Sequence, residues 1–171
     1  MSTPVDILAE TRWRCGTPDR NPDVASEHVY DASPDAVWRS LLTGAHLREA
    51  MAGIADFQGL PDGPFAEGQD LSLDIRVLDG TDIPDWRMRF VRIDPAARFL
   101  VTEESGGPVA RLHHVMSVEP AEKGRARLTH RFWVEAGAAQ VQIEVLLARM
   151  YDAYHHRRAD LMAAEAAEGR S

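Results

Sequence analysis

The sequence predicts an α+β fold in which a strongly curved antiparallel β-sheet of six to seven strands wraps around one long C-terminal helix, with two short helices after the first strand. Three observations predict it. From residue 70 onward, run after run alternates apolar and polar residues with a period of two, the mark of half-buried strands. Between residues 33 and 51 the pattern turns helical, and from Ala138 to about Ala164 it is helical again over a length well beyond an average helix. An apolar sheet face must be covered, and only the last element is long enough to cover it.

Residues 1–23 mix Pro4, Gly16, Pro18 and Pro22 with charges and read as an N-terminal extension, in which Trp13 is placed to cover the body of the domain. The domain itself is assigned to residues 24–164, and an alanine-rich, frayed tail to 165–171. A first strand is expected at Val24–Tyr30. In "DASPDAVWRSLLTG", Ser33 suits an N-cap, Pro34 the first helical position, and Asp35 the positive end of the helix dipole. Val37, Trp38, Leu41 and Leu42 form one apolar stripe that ends at Gly44. A second short helix is expected over His46–Met51, then a strand around Ile54–Leu60 and a loop tipped by Phe65. That loop, with Phe57 and Phe65, is either a lid over an interior space or an ordinary loop with its phenylalanines tucked in.

The strands follow in series: "DLSLDIRV", "WRMRFVRI", "RFLVTEE", "ARLHHVMSV" and "RARLTHRFWV". The joint "EPAEKGR" sets a register. With Glu122-Lys123-Gly124 as a three-residue hairpin loop and Gly124 at positive φ, Ala121 pairs with Arg125. Counting outward puts Val118 opposite Leu128, Met116 opposite His130, and His114 opposite Phe132. The apolar residues then fall on one face, which supports the register independently. In the last helix, Ile143, Leu147, Met150, Tyr151, Tyr154 and Leu161 make an apolar-to-aromatic stripe, and "HHRR", His155–Arg158, reads as a solvated or salt-bridged face ahead of the alternative, an anion site.

The totals exclude several function classes. At 171 residues the chain suits one domain that buries about two-thirds of its unfolded surface. Its 19 Lys+Arg against 27 Asp+Glu give a net charge of −8, the wrong sign for nucleic acid or an anionic membrane surface. Cys15 is the only cysteine, so neither an intrachain disulfide nor cysteine-built zinc is available. The start "MSTPVDILAETRWRCG" lacks a basic n-region and an apolar run, and no later stretch reaches the ~20 apolar residues of a membrane span. A cytoplasmic protein with no membrane insertion is expected.

With those elements in place, the sequence resembles the START-like, helix-grip (SRPBCC) superfamily, specifically its polyketide cyclase/dehydrase-like branch. The resemblance is carried by "VYDASPDAVWRSLL", similar to that superfamily's opening strand-to-helix passage, and by "ARMYDAYHHRRADLM", similar to its closing helix. It covers residues 24 to about 164. It implies a cavity between sheet and helix, and its members include lipid and sterol carriers, aromatic polyketide cyclases, ubiquinone-binding proteins and co-chaperone ATPase activators. The co-chaperones carry a Gly-Trp pair leading into the last helix; here that passage is "EAGAAQVQIEV", with no tryptophan. Function on a shared fold has to be argued from the site.

By the register, Leu112, His114, Met116 and Val118 face inward with Leu128, His130, Phe132 and Val134, while His113 faces outward beside Trp133. Inward Leu100 brings Thr102 and Glu104 with it. The expected cavity wall is apolar, from Trp86, Met88, Phe90, Leu112, Met116, Phe132, Leu147 and Tyr151. Its polar groups are His114, His130, Thr102, Glu104 and Tyr154, a mixture suited to a small, mostly hydrophobic molecule. His114 and His130 have three readings: a hydrogen-bonded core pair, ligand contacts, or acid–base catalysts. His114, His130 and Glu104 could hold a metal, but these residue types at this spacing are weak evidence for one, and no glycine-rich phosphate loop is present, so neither metal nor cofactor is expected. Outward Trp133, with His113 and Val115, is either a homodimer contact or an isolated surface aromatic.

Three functions compete on these grounds: binding of a lipid, quinone or polyketide-like molecule, a cyclase or dehydratase using the cavity histidines, and a co-chaperone-like interaction module with a filled core.

Overall fold

A computed structural model of the chain describes residues 20–168; Trp13, Cys15 and the last residues of the expected tail lie outside them. Seven strands form one antiparallel sheet: β1 (Val24–Tyr30), β2 (Ala55–Gln58), β3 (Asp70–Val77), β4 (Asp82–Asp94), β5 (Phe99–Gly106), β6 (Val109–Pro120) and β7 (Ala126–Glu135). Two short helices, α1 (Pro34–Arg39) and α2 (Gly44–Ala50), follow β1, and α3 (Gln140–Glu168) closes the chain after a single 3-10 turn at Gly137–Ala139. The strand order β1-β7-β6-β5-β4-β3-β2 puts β1 and β2 at opposite edges, so α1 and α2 must bridge the whole sheet. No helix among the described residues is long and apolar enough to cross a membrane.

The hairpin between β6 and β7 has the expected register. The Ala121 amide donates to the Arg125 carbonyl at 2.8 Å, and Val118, Met116 and His114 face Leu128, His130 and Phe132. Two residues of the loop adopt positive φ, Gly124 at 74° and Lys123 at 60°, where one was expected. Register breaks between Leu73 and Ile75, Phe90 and Arg92, and Glu104 and Gly106 curl the sheet, because an unpaired residue bends its strand. The main core fills the concave side, against which α3 packs.

Three expectations need correction. Gly44 does not end α1. That helix stops at Arg39 with Ser40 as its C-cap, and Gly44 is the first residue of α2, whose N-cap is Thr43. The reason is a long-range contact: the Gly44 and Ala45 amides donate to the carbonyls of Gly63 and Asp62, drawing the loop so close that a side chain at 44 has no room. The second correction concerns His155–Arg158. His156 and Arg157 are exposed, but His155 and Arg158 are buried at 2% and 3% exposure. Tyr151, Tyr154, His155 and Arg158 stand three, four and seven residues apart and so share one helix face. The third concerns the outer face, where His113 and Trp133 are buried rather than exposed. Phe99, Val101, Val115 and Trp133 form a second cluster there, and the Trp133 indole donates to the Arg20 carbonyl at 2.9 Å.

The loop after β2 is strapped down. Phe57 belongs to β2 and is buried, whereas Phe65 donates its amide to Leu42 and stacks on Phe90 at 4.3 Å. A Cβ on Gly44 would lie 1.7 Å from the Pro61 carbonyl oxygen, which is backbone and cannot step aside. Gly44→Ala should therefore destabilise the fold by about 1–3 kcal/mol, the usual range for forced overpacking. Urea unfolding measures this, and an unchanged midpoint would refute the close approach.

Candidate functional site

The concave face and α3 do not close-pack everywhere. Two adjoining cavities remain, of about 40 Å³ and about 70 Å³. The smaller is walled by Phe90, Thr102, Met116, His130 and Tyr154, together with Ser40, Leu41, Phe65, Leu100 and Arg158. The larger is walled by Trp86, Leu112, Phe132 and Leu147, with residues of β2, β3 and α3 such as Phe57, Ile75 and Leu146. Leu47, Met88, Glu104, His114 and Tyr151 border both and form the partition. Each residue selected from the sequence thus stands on one wall or the other. Ser40, Leu47, Phe65 and Arg158 were not selected; Arg158 carried a usable signal, its spacing from Tyr151 and Tyr154.

The strands supply a buried polar row. Thr102 and Glu104 are alternate residues of β5 and point the same way, so the Thr102 hydroxyl donates to one Glu104 carboxylate oxygen at 2.6 Å. The Trp86 indole donates to the other at 2.9 Å. His114, opposite Thr102 on β6, holds Nδ1 at 3.6 Å from Glu104, beyond hydrogen-bond reach but well within its field. Its Nε2 lies 2.8 Å from Nδ1 of His130. The rings are 5.1 Å apart, and Tyr151 packs on both. A carboxylate facing Nδ1 of His114 favours the proton there. His114 Nε2 is then the acceptor and His130 Nδ1 the donor, leaving a lone pair on His130 Nε2. That atom is buried without a partner.

Burial dominates the electrostatics. His130 has its pKa pushed well below the usual histidine value, first by desolvation and then by His114, His155 and Arg158. The Tyr151 phenol is pushed well above its ordinary value by burial and by the Glu104 charge. Burial also raises Tyr154, while Arg158 opposes it. Behind them the Tyr30 hydroxyl bonds His155 Nδ1 at 2.6 Å, and burial followed by the neighbouring His28 lowers His155 to about 4. His130 and His155 are therefore neutral, and Glu104 and Arg158 are the two buried charge-bearing side chains of the interior among the described residues.

These depressed histidines make stability depend on pH in a defined sense. The unfolded chain titrates near 6.5 and binds protons that the folded one refuses. Stability is therefore full above pH 6.5 and lost as pH falls from 6.5 towards 4. His155 alone contributes about 3 kcal/mol of that loss at pH 4. Carboxylates such as Asp23 and Asp94, held below 3.8, act only at lower pH. Urea unfolding across pH 4–7.5 checks this; a flat profile would contradict neutral buried histidines.

No protein-family model matches the sequence, and no curated protein does. Solved structures do match. Protein Ms6760 from Mycobacterium smegmatis aligns with a TM-score of 0.66 at 10% identity, covering 80% of this chain and 88% of its own. The Q3J4M4_RHOS4 protein from Rhodobacter sphaeroides aligns at 0.63 and 15%, covering 84% and 95%. Norcoclaurine synthase from Thalictrum flavum, solved in complex with dopamine and hydroxybenzaldehyde, aligns at 0.56 and 21%, covering 78% and 83%. At these identities the likeness is one of fold. The curled seven-stranded antiparallel sheet, the paired short helices and the long closing helix give this chain the START-like, helix-grip fold.

Proposed function

We propose that the protein binds a small, mostly apolar, aromatic molecule between the sheet and α3. The observation that carries this reading is a space left open in the middle of the core, beside a buried polar atom, His130 Nε2, that has no partner. A close-packed interior normally leaves neither. Size narrows the class. An apolar cavity of roughly 150 Å³ takes up benzene, so cavities of about 40 and 70 Å³ must merge, and the partition between them must also give way, to admit even one ring. Met88 and Tyr151 stand in the partition, and an unbranched methionine is the side chain best able to turn aside. This favours a compact aromatic over a long-chain lipid. One protein of this fold is solved with two small aromatic molecules, which supports the same class. The open core weighs against an interaction module with a filled interior.

A second reading, cyclase- or dehydratase-like catalysis, is favoured by the Glu104–His114–His130 row ending in a free ring nitrogen. Magnitude ranks it below binding. A general base works best with a pKa near the operating pH, and His130 is held well below that.

Thermal-shift and native mass-spectrometry screens of quinones, lipids and aromatic polyketides should yield stabilisation by compact aromatics. Leu147→Trp, which fills the larger cavity, should weaken that binding at least about tenfold with the fold retained. Silence from every class would remove the binding reading. Should turnover of such a ligand be found, His114→Gln and His130→Gln should each lower it about 10²-fold or more while binding persists. Unchanged turnover in both variants would reject the catalytic reading.

A further inference from the structure

The smaller cavity contains a cation that the proposed function leaves unused. Arg158, on α3, is 3% exposed and lines that cavity. Its Nη1 donates to the Ser40 carbonyl at 3.0 Å and also bonds the Ser40 hydroxyl, while its guanidinium carbon lies 4.8 Å over the Tyr154 ring. Its Nε is buried and has no partner. Among the described residues no carboxylate pairs with it. The contrast with the surface is informative. Arg48, Arg76 and Arg98 are far more solvated, and each is paired with an aspartate. Buried Arg158 lacks the counter-charge that these solvated arginines have. An isolated buried charge is costly, and a ring face with one serine offsets only part of that cost.

A capping role accounts for Nη1, since Ser40 is the C-cap of α1. It does not account for the idle Nε or for the cavity against which the guanidinium sits. We infer that Arg158 anchors an anionic group, a carboxylate, on the molecule held between sheet and helix; this rests on the binding reading above. A guanidinium offers a carboxylate paired parallel donors. The cavity's own Glu104 sets the polarity of the ligand: it repels a second anion, so the carboxylate goes to the Arg158–Ser40–Tyr154 corner and the ring lies towards Phe90 and Tyr151. A dianionic phosphate would leave one charge uncompensated in the same apolar space. The ligand class is thus a compact aromatic carboxylate.

Isothermal calorimetry on the full chain, with benzoate and its uncharged analogue benzamide as probes, tests this. The wild type should bind benzoate at least about tenfold more tightly, the scale of one charge-assisted hydrogen bond. Arg158→Met should erase that preference yet keep benzamide binding, and Arg158→Lys should keep part of it. Ser33→Ala, which removes the N-cap of α1 and alters neither cavity wall, should lower stability and spare the preference; this separates anchoring from a loosened α1. Equal or weaker benzoate binding by the wild type would overturn the anion site and leave the cavity reading standing. So would a preference that survives Arg158→Met. If neither probe binds, both fall together.

Discussion

The interior of this protein depends on one pairing, β6 against β7, closed by the loop from Ala121 to Arg125. A strand presents alternate residues to alternate faces, so a one-residue slip of β6 would turn His114 outward and His113 in, and a slip of β7 would turn His130 outward and Trp133 in. The cavity wall, the contact to Glu104 and the aromatic packing on Tyr151 all follow from that register.

The second controlling quantity is the desolvation cost of charge. It keeps His130 and His155 neutral and raises the tyrosine phenols. It also makes a buried guanidinium with an idle edge stand out against arginines that are paired at the surface. Hydrogen bonds satisfy Glu104 from two sides. Among the described residues five buried side-chain atoms have no partner; His130 Nε2 and Arg158 Nε belong to walls of the smaller cavity, while both His113 nitrogens and His155 Nε2 lie outside either cavity. A space bordered by unmet donors and acceptors suits an occupant better than vacancy, and a weakly basic histidine suits recognition better than proton transfer.

Much of this was legible in the residues. "DLSLDIRV" alternates so cleanly that its limits, Asp70 and Val77, are those of β3, and one glycine in "EKG" set the central hairpin. What escaped did so for physical reasons. The fate of Gly44 turns on a carbonyl at Pro61 that no local pattern reveals. In "HHRR" the charge of the residues outweighed their spacing, although spacing is what assigned His155 and Arg158 to the inner face. His113 and Trp133 were placed on the correct side of the sheet, but alternation says only which side a residue takes, and not whether that side is wet. The division of the interior into two small cavities depends on the rotamers of Met88 and Tyr151, which no periodicity encodes.

The strand order carries a last consequence. Among the described residues β1 pairs with β7 alone, and most of the concave face is covered by α3, the last described element, with α1 and α2 at one end. During synthesis the first edge strand waits unpaired for most of the polypeptide, with a long apolar trough open beside it. Contacts of such sequence separation form slowly, and exposed strand edges invite intermolecular pairing in the interval. A chain cut before α3 would therefore be an adhesive half-shell rather than a slightly shortened protein.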